Sequence, residues 1–344
     1  MRKPKFILSR KKVLEQYNKV ELITNIVSYS SKTNPLITTI LEEETNSMFS
    51  IHLSTELENV KDKSRVIFLA QGWTFEEIEK LIKVGVKHFV VDNEPDLEVI
   101  LLFLGKNHVK INIHLRVKLK ENSLRTEKYF VFGMNSEVVS EKLKFLSKNP
   151  FIESLGIHFH RKTQNMSEWN LQYELENMFE EETFEIIKYV NIGGGIPSMY
   201  ANTNFDVIKT VLKKIKNLRD WLNKKNISMI VEPGRFISAP ACKLETSIIR
   251  MYDNNIIVNA SVYNSDLDAL IVPVKLLVLG EMQPGEGEPF VIKGITPCSM
   301  DLFRYRVYLK NPKVGDKIVF LNAGAYNFTS DFCNLERIET EIID

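Results

Sequence analysis

Charge of neither sign is in surplus: 45 Lys and Arg stand against 44 Asp and Glu, a net +1 over 344 residues. With no basic excess to neutralise phosphates, a main role in nucleic-acid binding is disfavoured. Cysteine is scarce. Cys242, Cys298 and Cys333 are odd in number, far apart and without a C-x-x-C pair, which argues against a disulfide framework or zinc knuckle and fits a reducing compartment. No apolar run is long enough to span a bilayer. The opening M-R-K-P-K-F-I-L-S-R-K-K lacks an apolar stretch of signal-peptide length, so a cytoplasmic protein with no membrane association is expected. Repeats and low-complexity segments are absent as well.

What is present is an apolar fraction of 44%, enough for a substantial core, arranged as alternating short strands and amphipathic helices. Phe6 to Leu8 predicts a strand and Ser9 to Tyr17 a helix. Further strands are expected at Ile23 to Tyr29, in M-F-S-I-H-L, at Arg65 to Leu69, Val86 to Val91 and Val109 to Val117. Helices are expected at Leu36 to Glu44, Thr74 to Val84, Glu94 to Leu104, Ser136 to Ser147 and Phe205 to Lys225. Ser228 to Val231 then reads as a strand ending in E-P-G-R. Repeated strand–helix units argue for parallel strands with right-handed crossovers, and about eight of them close a TIM-type barrel. Beyond about Ala241 helical periodicity gives way to short apolar runs separated by Gly, Pro and Asn. The expected fold is thus α/β: a TIM-type (β/α)8 barrel over residues 21–240, a C-terminal antiparallel β domain over 241–344, and an N-terminal strand and helix over 1–20.

The most unusual stretch runs from Phe151 to Pro197, where G-I-H-F-H-R-K-T and N-I-G-G-G-I-P each follow an apolar strand, with a helix between them. His158 and His160 fall on one side because strand side chains alternate. Gly193, Gly194 and Gly195 each cost conformational entropy. The usual reason for such a run is close approach of backbone to a ligand, and bare N–H groups in a turn favour a phosphate. A ring-sized polar group beside a phosphate cradle is therefore expected. H-x-H at a barrel strand end is also a metallohydrolase pattern. Such sites need further histidines downstream, and all six (52, 88, 108, 114, 158, 160) lie at or before position 160, so no metal is expected.

With Y-S-S-K-T-N-P around Lys32, G-I-H-F-H, N-I-G-G-G-I-P, E-P-G-R-F, T-P-C-S-M-D and G-A-Y in that order, the chain resembles the fold-type III pyridoxal-phosphate-dependent decarboxylases, which act on ornithine, arginine, diaminopimelate and carboxynorspermidine. The resemblance covers nearly the whole chain. It implies an alanine-racemase-like barrel, pyridoxal 5′-phosphate as cofactor, an amino-acid substrate and a homodimer with shared active sites, the first strand joining the second domain. Lys32 would form the Schiff base and Glu232 would keep the pyridine nitrogen protonated, so that CO2 leaves through a quinonoid. His160 would stack on the ring, Arg116 would lie near it, and Gly193, Gly194, Gly195, Thr163, Arg235 and Tyr326 would hold the phosphate. Cys298 of the partner subunit would reprotonate Cα. Taken singly, each has a plainer reading: a solvated loop lysine, a turn glutamate in a salt bridge, a core or surface histidine, a core tyrosine, a buried cysteine like Cys242 and Cys333. Their ordered occurrence outweighs those readings. Racemases of the same barrel carry arginine where Glu232 stands, which makes racemisation the disfavoured alternative.

The chain departs from the family where a substrate's distal group is read. The family pattern has Asp four residues after the cysteine, and an acid directly after it in diamine-forming members. Here G-I-T-P-C-S-M-D puts Asp301 three residues after Cys298 and Ser299 next to it. Either one residue is deleted, or Pro297 holds the cysteine's place and Cys298 the acid's. Val272 stands at a second family acid, and Ser50 where Asp is frequent, while Glu56 keeps its place. Without these carboxylates a terminal cation loses its partner. A larger or modified amino acid, its side chain joined to another group, is expected in place of plain ornithine or lysine. Asp301 and Ser299 are the candidate substrate-binding residues. Asp301, Asp266 or Asp268 could restore diamine recognition, which keeps a diaminopimelate- or ornithine-type decarboxylase as the alternative.

Overall fold

A computed structural model describes residues 2–119, 131–327 and 329–344. Its strands in chain order are β1 (Lys5–Ser9), β2 (Ile26–Ser30), β3 (Met48–Ile51), β4 (Val66–Ala70), β5 (His88–Val91), β6 (Ile111–Arg116), β7 (Ile152–His158), β8 (Tyr189–Asn191) and β9 (Ser228–Val231), followed by β10 (Cys242–Tyr252), β11 (Asn255–Val258), β12 (Leu277–Val278), β13 (Glu288–Lys293), β14 (Leu302–Leu309), β15 (Lys317–Leu321) and β16 (Glu339–Ile343). The chain divides into two compact units: Tyr17–Ile196 with Lys209–Gly234, and residues up to Gln16 with Pro197–Ile208 and Arg235–Asp344. The boundary therefore falls at Gly234, and the second unit reclaims a short piece of chain before it.

In the first unit β2 to β9 form a closed eight-stranded barrel, every neighbour parallel, with β9 pairing back onto β2. Local chemistry sets the strand–helix alternation. Thr74 accepts the amide of Glu77 at 3.1 Å to cap the helix Phe75–Lys83, and Asn93 accepts that of Asp96 at 2.9 Å for the helix Glu94–Asn107. His108, at φ 55°, ends the latter. Inside the barrel Ile67, Leu69, Val90 and Ile230 form one apolar cluster, each burial stabilising by about 1.5–3 kcal/mol. Beside it the interior turns polar. Ser28 and Ser50 are hydrogen-bonded at 2.8 Å, and the fully buried His114 packs against Tyr189 at 5.5 Å between ring centroids. Gly156 makes room for that imidazole: a Cβ there would lie 2.7 Å from His114 Nδ1. Between β7 and β8 the structure has two short helices, Leu171–Met178 and Glu181–Ile186, instead of one.

The second unit is an eight-stranded sheet whose pairings are mostly antiparallel, as expected, with two parallel ones among them. β11 pairs with β13 in parallel, and β1 lies parallel to β16 while pairing antiparallel with β10. Pairings between strands so distant in sequence leave no local signature, because periodicity reports only which face of a strand is buried.

Candidate active site

The barrel carries its unusual residues just beyond the C-terminal ends of its strands, where barrel enzymes keep their sites. After β2 the chain makes a single tight turn, Ser31–Thr33, and Asn34 then caps the helix Pro35–Glu44 by accepting the amide of Leu36 at 3.3 Å. Proline at the first helical position lacks only a donor that would be orphaned anyway. This S-S-K-T-N-P sequence holds Lys32 at the strand exit. The turn is pressed against the E-P-G-R segment: a Cβ on Gly234 would come within 2.2 Å of Thr33 Oγ1. Lys32 Nζ meets His52 Nε2 at 3.3 Å. Burial pushes its ammonium down, against the pull of Glu232 and Glu56 and with a push from Arg116.

Glu232 directly follows β9 and is 2% exposed. Asn191 Nδ2 donates to its Oε1 at 2.8 Å, while Oε2 lies 3.6 Å from His158 Nε2 and 3.8 Å from His160 Nδ1. The two imidazoles are stacked at 6.4 Å, as alternation along and past β7 requires. Burial works to raise the Glu232 carboxyl, but His158 and His160 hold it well below the usual carboxylate range. Burial pushes both imidazoles down. Among the described residues these three side chains are also the group with ligand atoms close enough, within 4.8 Å, to share a metal.

The three glycines answer first to the protein's own backbone. A Cβ on Gly193 would meet Phe159 O at 2.5 Å, one on Gly194 Glu232 O at 2.7 Å, and one on Gly195 Lys162 O at 2.8 Å. Gly193 and Gly195 also sit at positive φ, 64° and 92°. The amide of Gly193 donates to Asn191 Oδ1 at 2.9 Å and that of Gly194 to His160 Nδ1 at 3.3 Å. Two of the three amides thus have acceptors within the barrel. Thr163 lies in the irregular segment after β7. Arg116, ending β6, pairs with Asp92 at 2.8 Å, and Gln71 donates to the other Asp92 oxygen at 2.7 Å. Asp92 and His52 are residues that motif reasoning passed over. A histidine four residues before Glu56 was the only hint of the second.

The second unit holds the remaining candidates. Arg235 opens the helix Arg235–Ala241, with Nη2 donating to Asp268 Oδ1 at 2.8 Å and Nη1 to Tyr200 Oη at 3.0 Å and to Asp268 Oδ2. Its guanidinium lies 5.2 Å from the ring centroid of Tyr326, whose backbone has φ 54°. Burial pushes the nearby Asp266 carboxyl up, and Asp268 adds to the shift. Cys298 is half-buried and lies 3.0 Å from Tyr263 Oη, whose ring stacks on Phe332 at 3.9 Å. That phenol draws the Cys298 thiol down. Ser299 is exposed in a turn. Asp301, expected as a substrate acid, is turned inward instead: it accepts Val262 N at 2.8 Å, Thr296 N at 2.9 Å and Thr296 Oγ1 at 2.7 Å. It is 2% exposed and presses on Gly294, where a Cβ would lie 1.9 Å from Oδ1. Its carboxylate organises the loop that carries Cys298.

Comparison with known proteins bears on these residues as a set. The family description "pyridoxal-dependent decarboxylase, pyridoxal binding domain" matches residues 10–239. A diaminopimelate decarboxylase of Helicobacter pylori is 23% identical over 291 residues, 76% of this chain and 68% of that protein. Antizyme inhibitor 2 of Xenopus laevis is 22% identical over 320 residues, 83% and 68% of the two chains. A Staphylococcus aureus protein named 2-[(L-alanin-3-ylcarbamoyl)methyl]-2-hydroxybutanedioate decarboxylase is 25% identical over 193 residues, 52% and 48%. Among solved structures, the lysine/ornithine decarboxylase of Vibrio vulnificus in complex with cadaverine superposes with a TM-score of 0.81 at 21% identity, covering 99% of this chain and 94% of that one. The family match spans most of the chain, including Lys32, the paired histidines, the glycine run and Glu232: the chain belongs to the pyridoxal-dependent decarboxylases, and its cofactor is pyridoxal 5′-phosphate.

Proposed function

We propose that the chain removes the α-carboxyl group of a modified or larger amino acid whose side chain does not end in a free ammonium. The engagement of the acids that could have read such an ammonium carries this reading. Asp301 holds Val262 and Thr296, Asp268 holds Arg235, and Asp266 is buried and pushed toward its neutral form. An ammonium buried without a carboxylate costs several kcal/mol. The name of the Staphylococcus aureus relative describes an alanine side chain joined through a carbamoyl group to a hydroxy acid, a substrate of the class meant here.

The residues at the barrel end fit the cofactor chemically, with an amine made less basic by burial, a buried anion and an imidazole against a glycine turn. Pyridoxal phosphate supplies an aldehyde that captures amino groups and a ring that accepts the electron pair left when CO2 departs. Lys32 is the amine that holds it and yields it to the substrate. Glu232 would keep a proton on the pyridine nitrogen, with Asn191 Nδ2 donating to one of its oxygens and His158 Nε2 facing the other. Thr163 and Gly195 are the phosphate ligands proposed within the barrel, and Arg235 and Tyr326 those proposed on the second unit. Cys298 of the partner subunit delivers the proton to Cα, its thiol acidified by the Tyr263 phenol.

A CO2-release screen tests the reading. Alanines carrying an amide-linked acid on Cβ should be turned over, and ornithine, lysine, arginine and diaminopimelate should be poor substrates. Rapid release from any one of those four overturns the substrate assignment. Loss of optical rotation without CO2 would favour a racemase, and stoichiometric metal in the purified protein a metal-dependent hydrolase. Purified protein without a visible absorbance band would favour a regulator, a reading that the intact Lys32 and Arg235 oppose. Lys32→Ala should abolish that band.

A further inference from the structure

The side chain nearest to Lys32 in hydrogen-bonding terms belongs to none of the roles above. His52 follows β3 by one residue and brings Nε2 to 3.3 Å from Lys32 Nζ, while its Nδ1 faces Glu56 Oε2 at 3.6 Å. The same Glu56 oxygen accepts the backbone amides of His52 at 2.7 Å and Leu53 at 3.2 Å. Glu56 thus holds the main chain at His52 and sets its carboxylate beside the ring nitrogen turned away from the lysine. Lysine, imidazole and carboxylate stand in line, the order in which a base and its orienting acid are found beside an activated nucleophile.

We infer that His52 takes the ammonium proton of Lys32 and later returns it, with Glu56 stabilising the imidazolium in between. The inference rests on the reading that Lys32 carries the cofactor. In the forward step the N–H bond at Lys32 Nζ breaks as one forms at His52 Nε2. A neutral amine is left, and an imidazolium whose Nδ1–H faces the Glu56 carboxylate. Nothing else is exchanged, and the reverse transfer protonates the amine when a substrate displaces it. Glu232, Glu56 and Arg116 act on Lys32 through their charges, while His52 offers an imidazole nitrogen 3.3 Å from Nζ.

The experiment mixes the full chain, stripped of cofactor, with pyridoxal 5′-phosphate and follows borohydride-trapped adduct at Lys32 by mass spectrometry across pH. His52→Gln should slow capture by about 10²-fold, the lower end for a positioned base, and remove one limb of the pH–rate profile. His52→Ala should be slow alone and speed up in proportion to added imidazole, a comparison made within one folded variant. Unchanged rates in both variants overturn the inference, as does slowing that leaves the pH profile intact and ignores imidazole, which would mark a structural role. If the wild-type chain captures no cofactor on Lys32, the reading of Lys32 fails instead, so the two failures are told apart.

Discussion

Two buried carboxylates, Glu232 of the barrel and Asp301 of the β unit, are each about 2% exposed, yet the chain uses them in opposite ways. Glu232 has one oxygen on Asn191 and the other between two imidazoles at 3.6 and 3.8 Å. The groups that face its oxygens are side chains. Asp301 is tied to the backbone amides of Val262 and Thr296 and to the Thr296 hydroxyl. An acid held by side chains remains available for chemistry, whereas one held by backbone amides has become part of the fold.

That contrast can be broken by exchanging the two carboxylates for neutral groups. The largest effect should come from Glu232→Gln, with turnover falling by about 10²–10³-fold, the scale of removing one preorganised charge, and melting temperature changing little. Steady-state decarboxylation beside a thermal melt checks this, and a turnover loss below tenfold would remove Glu232 from the chemistry. Asp301→Ala should do the reverse, costing about 3 kcal/mol of stability by orphaning buried donors, as read from a denaturant midpoint.

His114 sharpens the comparison from within the barrel. Burial pushes its imidazole down to about 3, against about 6.5 in the unfolded chain. The folded state therefore binds fewer protons, and stability falls by about 1.4 kcal/mol per pH unit as pH drops below about 6.5, levelling off near 3. His114→Leu should flatten that acid limb in melts between pH 7 and 5, and an unchanged slope would assign the sensitivity elsewhere. The smallest effect is expected at Tyr263→Phe. The Cys298 thiol loses the hydrogen bond that draws it down, and iodoacetamide should label it about two- to fivefold more slowly at neutral pH. Equal labelling rates would detach Tyr263 from the thiol.

The barrel was legible because its strands and helices alternate with distinct periods and end in cap residues, as at Thr74 and Asn93. Lys32 and Glu232 were legible because their neighbours, Asn34-Pro35 and Pro233-Gly234, are backbone devices that dictate where the side chain stands. The inward turn of Asp301 was not legible because spacing along a chain says how far a carboxylate is from a cysteine and nothing of which way it points. The missing Cβ of Gly294 was the available clue. His52 was invisible for a related reason. Its partner Lys32 is twenty residues away, and only the parallel pairing of β2 with β3 sets the two strand exits side by side.

The β unit has a consequence for synthesis on the ribosome. β1 takes its neighbours from β10 and β16, and roughly 230 residues separate Ser9 from Cys242. At about 5–20 residues per second that strand waits some 10–50 s for its first partner. The barrel residues leave the exit tunnel during that interval. The nascent chain thus carries an apolar, unmatched strand while the barrel is being made, and the loop bearing Cys298 follows later still.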